Sequence, residues 1–190
     1  SYSDADSLLI LPPLLSGFAP EENIVIKPMD IFFLWRPRLL YRKFDKFIWL
    51  ARDPRDSYLS SMEAGFSYGI NLQLPGKRLH GIDVGLLKRW KRIYRQFFQN
   101  RKRWYLVRYE DLVTDPDPTL ENLFEYLDLP FEKVYPFKKF NLLKGGDPKL
   151  TKTKTIHKKS VSRYKDQMDK DQIRVFEKFL GKEMRTLNYI

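Results

Sequence analysis

The stretch KFIWLARDPRDSYLSS, residues Lys46 to Ser61, decides the fold because it predicts a strand that runs directly into a helix. Its first part, FIWLA, is a continuous apolar run typical of a strand buried on both faces. Asp53 is suited to cap a helix, and Pro54 suits the first helical position. Asp56 lies three residues after the cap, where the positive end of the helix stabilises a carboxylate. Such a junction offers unpaired backbone N–H groups to an anion.

Arg52 lies at this junction and adds a planar, two-pronged hydrogen-bond donor. Arg52, Asp56 and Ser60 are spaced four residues apart, which places them near one face of the helix. A phosphate held by Arg52 and Ser60 is chemically reasonable. The spacing also fits a purely structural role, in which Arg52 pairs with Asp56 or a neighbouring carboxylate and Ser60 has no function. Spacing alone favours the structural role.

Composition limits the class of protein. The 190 residues are 43% hydrophobic, enough for one core, so we expect a single domain over residues 1–190. The formal charge of +11 predicts an anionic partner. Cysteine is absent and the two histidines are His80 and His157, which excludes disulfides, thiolate metal sites and histidine-rich metal clusters. We therefore expect no metal. No apolar run is long enough to predict a membrane span.

Strand-like and helix-like segments alternate along the chain. This alternation predicts an α/β fold with three layers, in which a mostly parallel sheet is flanked by helices. The predicted strands are NIVIK (Asn23 to Lys27), FIWLA (Phe47 to Ala51) and WYLVRY (Trp104 to Tyr109). The predicted helices run from Ile82 to Phe98, Thr114 to Leu129 and Lys170 to Leu187, and a long loop is predicted from Leu142 to Ser160.

Several stretches resemble the sulfotransferase family, in chain order. KFIWLARDPRDSYLSS resembles the segment with which sulfotransferases hold the 3′-phosphate of 3′-phosphoadenosine 5′-phosphosulfate (PAPS), through an arginine and a serine that are here Arg52 and Ser60. VRYEDLVTDP is similar to the family's Tyr-Glu-Asp-Leu segment, whose tyrosine, here Tyr109, lies near the nucleotide. IVIKP is similar to the strand whose lysine, here Lys27, approaches the sulfuryl group. The resemblance implies a fold like that of the P-loop nucleotide hydrolases.

Two later stretches extend the resemblance. GGDPKL, residues Gly145 to Leu150, resembles a loop of the bacterial branch. KKSVSRYKDQM, residues Lys158 to Met168, resembles the Ser-x-x-Arg-[WY] segment that covers the phosphates of the donor. The resemblance implies donor contacts by four residues: Lys158, Lys159, Ser160 and Arg163. The alternative for the two lysines and for Lys27 is that they are solvated side chains with no ligand.

The chain also departs from the family pattern. Family members begin with a strand, a phosphate loop and a helix, and residues 1–22 supply no such loop, so we expect this part of the domain to be missing from the sequence. Cytosolic members carry a histidine two residues after the strand lysine, where this chain has Met29. Asp30, His80 and His157 are the remaining candidates for a general base, and none is assigned.

The resemblance implies transfer of a sulfuryl group from PAPS to a hydroxyl or amine of a small-molecule or glycan acceptor. The acceptor loop is expected around Ser67 to Gly81 and does not identify the acceptor. A cytoplasmic location is expected, and the oligomeric state is open. Two alternatives remain: a relative that binds a nucleotide or glycan without catalysis, and a nucleic-acid-binding module using WKRIYRQFFQNRKRW, residues Trp90 to Trp104. We do not expect nucleic acid to be the partner, because those aromatic residues have core spacing.

Overall fold

The computed structural model describes residues 45–63, 77–131 and 158–190. These residues form four strands and six α-helices. The strands are β1 (Phe47–Ala51), β2 (Arg78–Leu79), β3 (Ile82–Asp83) and β4 (Trp104–Arg108). The helices are α1 (Pro54–Glu63), α2 (Val84–Gln99), α3 (Tyr109–Thr114), α4 (Pro116–Leu127), α5 (Tyr164–Gln167) and α6 (Lys170–Thr186). Short 3-10 turns lie at Arg101–Arg103 and Lys158–Ser160.

The centre of the described part is a parallel strand pair. β1 pairs with β4 in the register Phe47 with Trp104 through Ala51 with Arg108. The two strands are connected through α2, as expected for a parallel crossover. The predicted α/β class with a parallel sheet is therefore confirmed for this pair. The predicted strand over Asn23 to Lys27 lies outside the described residues.

Helices pack on both faces of the β1–β4 pair. On one face, the Trp49 ring contacts Tyr94 and Phe97 of α2, with centroid separations of 5.3 and 3.7 Å. On the other face, Tyr105 stacks on Tyr126 of α4 at 4.7 Å. This arrangement agrees with the predicted layering of helix, sheet and helix over the part of the chain that the structure describes.

One prediction about β1 was wrong. The strand is not buried on both faces, because Ile48 is 37% exposed and Leu50 is 54% exposed. Their side chains share the face on which α4 lies, but α4 packs against β4. The opposite face, with Trp49 and Ala51, is covered by α2 and α6 and forms the core.

Helix boundaries moved by a few residues from the predicted ones, for identifiable reasons. Ile82 belongs to β3, and α2 begins after Asp83, whose carboxylate accepts from the N–H groups of Gly85 and Leu86. The His80–Gly81 turn joins β2 to β3 with positive φ at both residues, as a two-residue hairpin requires. The predicted helix from Thr114 to Leu129 is shorter in the structure, where α4 covers Pro116–Leu127 and follows a separate helix, α3.

The final helix, α6, is well defined at its start and fills the core. Asp169 and Gln172 form a reciprocal capping box there. Its residues Phe176 and Leu180 are fully buried, and the helix packs against α1 and α2. No helix in the three described ranges has the length and apolar character that a membrane crossing needs.

We predict that Phe176→Ala lowers the free energy of unfolding by about 3–5 kcal/mol, because it removes a fully buried aromatic side chain and leaves a cavity. Ile190→Ala is the control: this side chain is 45% exposed, and its loss is expected to change stability by less than about 0.5 kcal/mol. Urea denaturation followed by circular dichroism measures both. Equal effects of the two substitutions would contradict the assigned core.

Candidate functional site

The site is built where β1 ends and α1 begins. The Asp53 carboxylate accepts from the backbone N–H of Arg55 at 2.9 Å, which confirms Asp53 as the helix cap. The Arg55 guanidinium returns to the same carboxylate with two bonds, Nε to Oδ1 at 2.9 Å and Nη2 to Oδ2 at 2.6 Å. Both side chains are buried. The first turn of α1 is therefore rigidly closed, and Arg52 projects from a fixed backbone.

Arg52 contacts two other residues that are predicted to bind the sulfuryl donor. Its Nη2 donates to the backbone carbonyl of Ser160 at 2.7 Å, and its guanidinium lies over the Tyr109 ring, 4.5 Å from the centroid. The Tyr109 hydroxyl and the Ser160 hydroxyl are 2.7 Å apart. Three segments separated by more than 50 residues thus bring Arg52, Tyr109 and Ser160 together at the carboxyl ends of two parallel strands, where open α/β sheets bind ligands.

This cluster has the chemistry of an anion site. Arg52 supplies a positive charge, and Tyr109 and Ser160 supply hydroxyl groups that can donate to an oxyanion. The Nε of Arg52 is buried and has no hydrogen-bond partner among the described residues. A buried N–H group without a partner is energetically costly.

Asp56 has a role that the sequence did not predict. The structure does not pair it with Arg52, as the structural alternative supposed. Its carboxylate, 1% exposed, accepts from two backbone N–H groups of the C-terminal part of the chain: Ser162 at 2.6 Å and Tyr164 at 2.9 Å. Burial raises the pKa of Asp56 above the ordinary 3.8, although the two backbone bonds act in the opposite direction.

Glu110 and Tyr189 were also missed by the sequence reasoning. Glu110 Oε1 accepts from the backbone N–H of Asp53 at 2.8 Å, and Oε2 accepts from the Tyr189 hydroxyl at 3.2 Å. The Tyr189 carbonyl in turn accepts from Arg55 Nη2 at 2.8 Å. Burial, and then the Glu110 charge, raise the pKa of Tyr189 well above its ordinary range, so the phenol stays protonated. Glu110 directly follows Tyr109 in the sequence, and this adjacency is the one sequence feature that pointed to it as a site residue.

The remaining predicted donor residues are less tightly held. Ser60 lies partly exposed on α1, two turns after Arg52, and Lys158 and Lys159 are exposed on the 3-10 turn before Val161. The Arg163 guanidinium is bound to the Glu63 carboxylate at the end of α1 and to Gln167 Oε1 at 3.2 Å. These roles stay predictions.

Several predicted positions lie outside the described residues. They are Lys27, Met29, Asp30, His157, the stretch Gly145 to Leu150 and most of the acceptor loop. His80, the remaining candidate base, is exposed in the turn between β2 and β3, and its carbonyl accepts from Gln172 Nε2 at 3.2 Å. Over residues 45–63, 77–131 and 158–190, no three His, Asp or Glu side chains are grouped to hold a metal ion.

The basic face of α2 differs from a stacking surface for nucleic acid. Trp90, Tyr94 and Phe97 are buried, at 8%, 8% and 5% exposure, and face the core. The exposed cations Lys88, Arg92 and Arg95 occupy the opposite side of the helix. The interleaved basic and aromatic pattern therefore arises from an amphipathic helix on the core.

Comparison with known proteins finds similar sequences over part of the chain. A family model described as the sulfotransferase family matches residues 40–133, which include β1, α1, β4 and α3. Two curated relatives, from Mycobacterium bovis and Mycobacterium tuberculosis, are each named omega-hydroxy-beta-dihydromenaquinone-9 sulfotransferase Stf3. Each is 34% identical over 99 residues, covering 48% of this chain and 25% of the relative. The match thus spans about a quarter of the relatives' length.

A solved structure, the sulfotransferase domain from the curacin biosynthetic pathway, aligns with a TM-score of 0.61 at 21% identity. The alignment covers 90% of this chain and 66% of that domain, so the chain shares the fold of a sulfotransferase domain over most of its own length. The family match includes the junction that carries Arg52 and the strand end that carries Tyr109. The family-model match over residues 40–133, the mycobacterial relatives and the shared fold all support the sulfotransferase family for this chain.

Proposed function

We propose that this chain carries the donor-binding part of an enzyme that transfers a sulfuryl group from PAPS to an acceptor hydroxyl or amine. The observation that supports it most directly is the meeting of Arg52, Tyr109 and Ser160 at the ends of β1 and β4. In this proposal the 3′-phosphate of the donor lies against Arg52 and Ser60, with Ser160 and Tyr109 beside it. The segment Lys158 to Met168 covers the phosphates of the donor and binds them through Lys158, Lys159 and Arg163.

Arg163 needs a rearrangement to take this role. Its guanidinium is occupied by Glu63, with the arginine side chain 18% and the glutamate 36% exposed. Because the Glu63 side chain is the more exposed of the two, water can solvate its carboxylate when the guanidinium turns from Glu63 to a phosphate. Lys158 and Lys159 are exposed and need no such exchange.

The reaction is a substitution at sulfur. An acceptor oxygen or nitrogen forms a bond to the sulfur atom as the bond between sulfur and the 5′-phosphate oxygen breaks, which releases adenosine 3′,5′-bisphosphate. The acceptor proton passes to a general base or to solvent. As in phosphoryl transfer, positioning and cations around spreading negative charge supply most of the rate. Lys27 is proposed to stabilise the oxygen that leaves.

The acceptor is not specified by the described residues. The name of the mycobacterial relatives gives an omega-hydroxylated dihydromenaquinone as their acceptor, which favours a hydroxyl group here as well. A single domain over residues 1–190 and a cytoplasmic location stay predictions.

Two alternatives differ in measurable ways. A non-catalytic relative would bind the bisphosphate and release no sulfate. A nucleic-acid module would bind duplex DNA in preference to a mononucleotide, but the aromatic side chains needed for stacking are buried in α2. The proposed function is therefore tested first by nucleotide binding.

We predict that Arg52→Lys and Ser60→Ala each weaken binding of adenosine 3′,5′-bisphosphate by about tenfold or more, since each removes a hydrogen bond to a charged phosphate worth about 1.5–3 kcal/mol. Binding of AMP, which lacks the 3′-phosphate, should change by less than about twofold. Calorimetric titration of the full-length protein measures both ligands, with a short DNA duplex as a third.

Arg174→Lys is the matched control for Arg52→Lys. Arg174 is 74% exposed and paired with Asp171 on α6, so its replacement should leave both nucleotide affinities unchanged. Equal losses of bisphosphate and AMP affinity in the Arg52 variant would contradict the 3′-phosphate role. Duplex binding tighter than bisphosphate binding would contradict the donor class.

We also predict that Lys27→Ala lowers the turnover number by about 10²–10³ while bisphosphate affinity stays within about twofold, because the lysine acts on charge that develops during transfer. Slow hydrolysis of PAPS, with water as the acceptor, measures turnover without an identified acceptor. Lys165→Ala, an exposed lysine on α5, is the control. A parallel loss of turnover and affinity in the Lys27 variant would show that the lysine binds the donor instead.

A further inference from the structure

The segment from Ser160 to Tyr164 is attached to the start of α1 through its backbone. Arg52 Nη2 binds the Ser160 carbonyl at 2.7 Å, and the Asp56 carboxylate binds the N–H groups of Ser162 and Tyr164 at 2.6 and 2.9 Å. A cation and an anion separated by one helical turn thus hold neighbouring backbone groups of one segment. These contacts connect positions more than 100 residues apart in the chain.

Asp56 is available for this contact because its usual local partner is taken. With Asp53 as the cap, Asp56 occupies the third helical position, from which an acidic side chain commonly returns to the backbone N–H of the cap. Here that N–H donates to Glu110 Oε1 at 2.8 Å. The Asp56 carboxylate points instead to the turn that follows Ser160, with one oxygen for each N–H group.

The turn itself needs an external acceptor. Ser162 has a φ of 60°, a left-handed conformation that is uncommon for a residue with a side chain. The N–H groups of Ser162 and Tyr164 both point at the Asp56 carboxylate, which is 1% exposed. Without that carboxylate, two donors in a partly buried region would lose their partners, and the strained backbone at Ser162 would be free to relax.

We propose that Asp56 is a positioning residue for donor binding: its carboxylate holds the turn Ser160–Tyr164 so that the Ser160 hydroxyl faces Tyr109 and the Ser160 carbonyl faces Arg52. This inference rests on the proposed function for its consequence and on the described contacts for its geometry. Asp56 itself touches no atom of the sulfuryl donor in the proposed complex. Its effect passes through the backbone at Ser162 and Tyr164 to Ser160, Lys158, Lys159 and Arg163.

The test compares Asp56→Asn with Asp83→Asn in the full-length protein. Both substitutions replace a carboxylate that accepts from two backbone N–H groups by an amide of nearly equal size. Asp83 caps α2 and makes no described hydrogen bond to residues 158–164. A general loss of stability therefore affects both variants, whereas loss of the turn is specific to Asp56→Asn.

Two readouts are measured. Amide hydrogen exchange at Ser162 and Tyr164 is expected to be roughly tenfold faster in Asp56→Asn, and unchanged relative to the α6 core in Asp83→Asn. Affinity for adenosine 3′,5′-bisphosphate is expected to fall roughly tenfold in Asp56→Asn, with AMP affinity within about twofold. In Asp83→Asn the ratio of the two affinities should equal that of the wild type.

The outcomes separate this inference from the proposed function. If the wild type binds the bisphosphate and Asp56→Asn keeps the same ratio of affinities, the positioning role is wrong and the proposed function stands. If Asp56→Asn accelerates exchange at both amides but the wild type does not prefer the bisphosphate over AMP, the hold on the turn is correct and the proposed function fails. Should Asp56→Asn not fold, exchange in the wild type decides: unprotected amides at Ser162 and Tyr164 would overturn the inference.

Discussion

The structure depends on how the first turn of α1 satisfies its backbone donors. The carboxylate of Asp53 accepts from the N–H of Arg55 within the turn, whereas the N–H of Asp53 itself is satisfied by Glu110 from the neighbouring strand end. One helix start thus uses two carboxylates from two different elements. Because Glu110 directly follows Tyr109, this bond also fixes the tyrosine relative to Arg52. The hydrogen bond from the Asp53 N–H to Glu110 therefore has two effects: it aligns the two strand ends, and it satisfies a backbone donor at the start of α1.

Three charged side chains are buried at this junction: Asp53, Arg55 and Asp56. Their burial is tolerable because each has fixed hydrogen-bond partners. Burial opposes the charged form of Arg55, but the hydrogen bonds and charge of Asp53 outweigh burial and raise its pKa. Arg55 also stacks on Tyr164, 3.7 Å from the ring centroid, and donates to the Tyr189 carbonyl. A buried ion pair of this kind is weak evidence for stability, since removing one partner costs far more than the pair contributes. Its clearer effect is to fix α1, α5 and the C-terminal residues in one arrangement.

Local sequence patterns predicted local structure well here. The apolar run of β1, the cap at Asp53 and the amphipathic helices α2 and α6 follow from short-range periodicity and capping chemistry, and the structure has them. Resemblance to the sulfotransferase family predicted that Arg52, Tyr109 and Ser160 bind the same donor, and in the structure these three residues are in contact. Asp56, Glu110 and Tyr189 were beyond reach, because their partners lie 57 to 108 residues away and no spacing rule connects them. The exposure of Leu50 was missed for a related reason: an apolar run does not reveal which helix covers which strand.

The position of Asp56 raises a physical question, since a carboxylate close to the proposed phosphate site would repel a phosphate. The contacts answer it. Both carboxylate oxygens accept from backbone N–H groups, and the side chain is 1% exposed, so its charge is directed into the turn and away from solvent. Burial also raises its pKa, which means that this environment favours the neutral form more than water does. Arg52, by contrast, keeps a buried Nε without a partner in the described ranges. The junction therefore compensates its negative group internally and leaves donor capacity on its positive group, which is the asymmetry that an anion site requires.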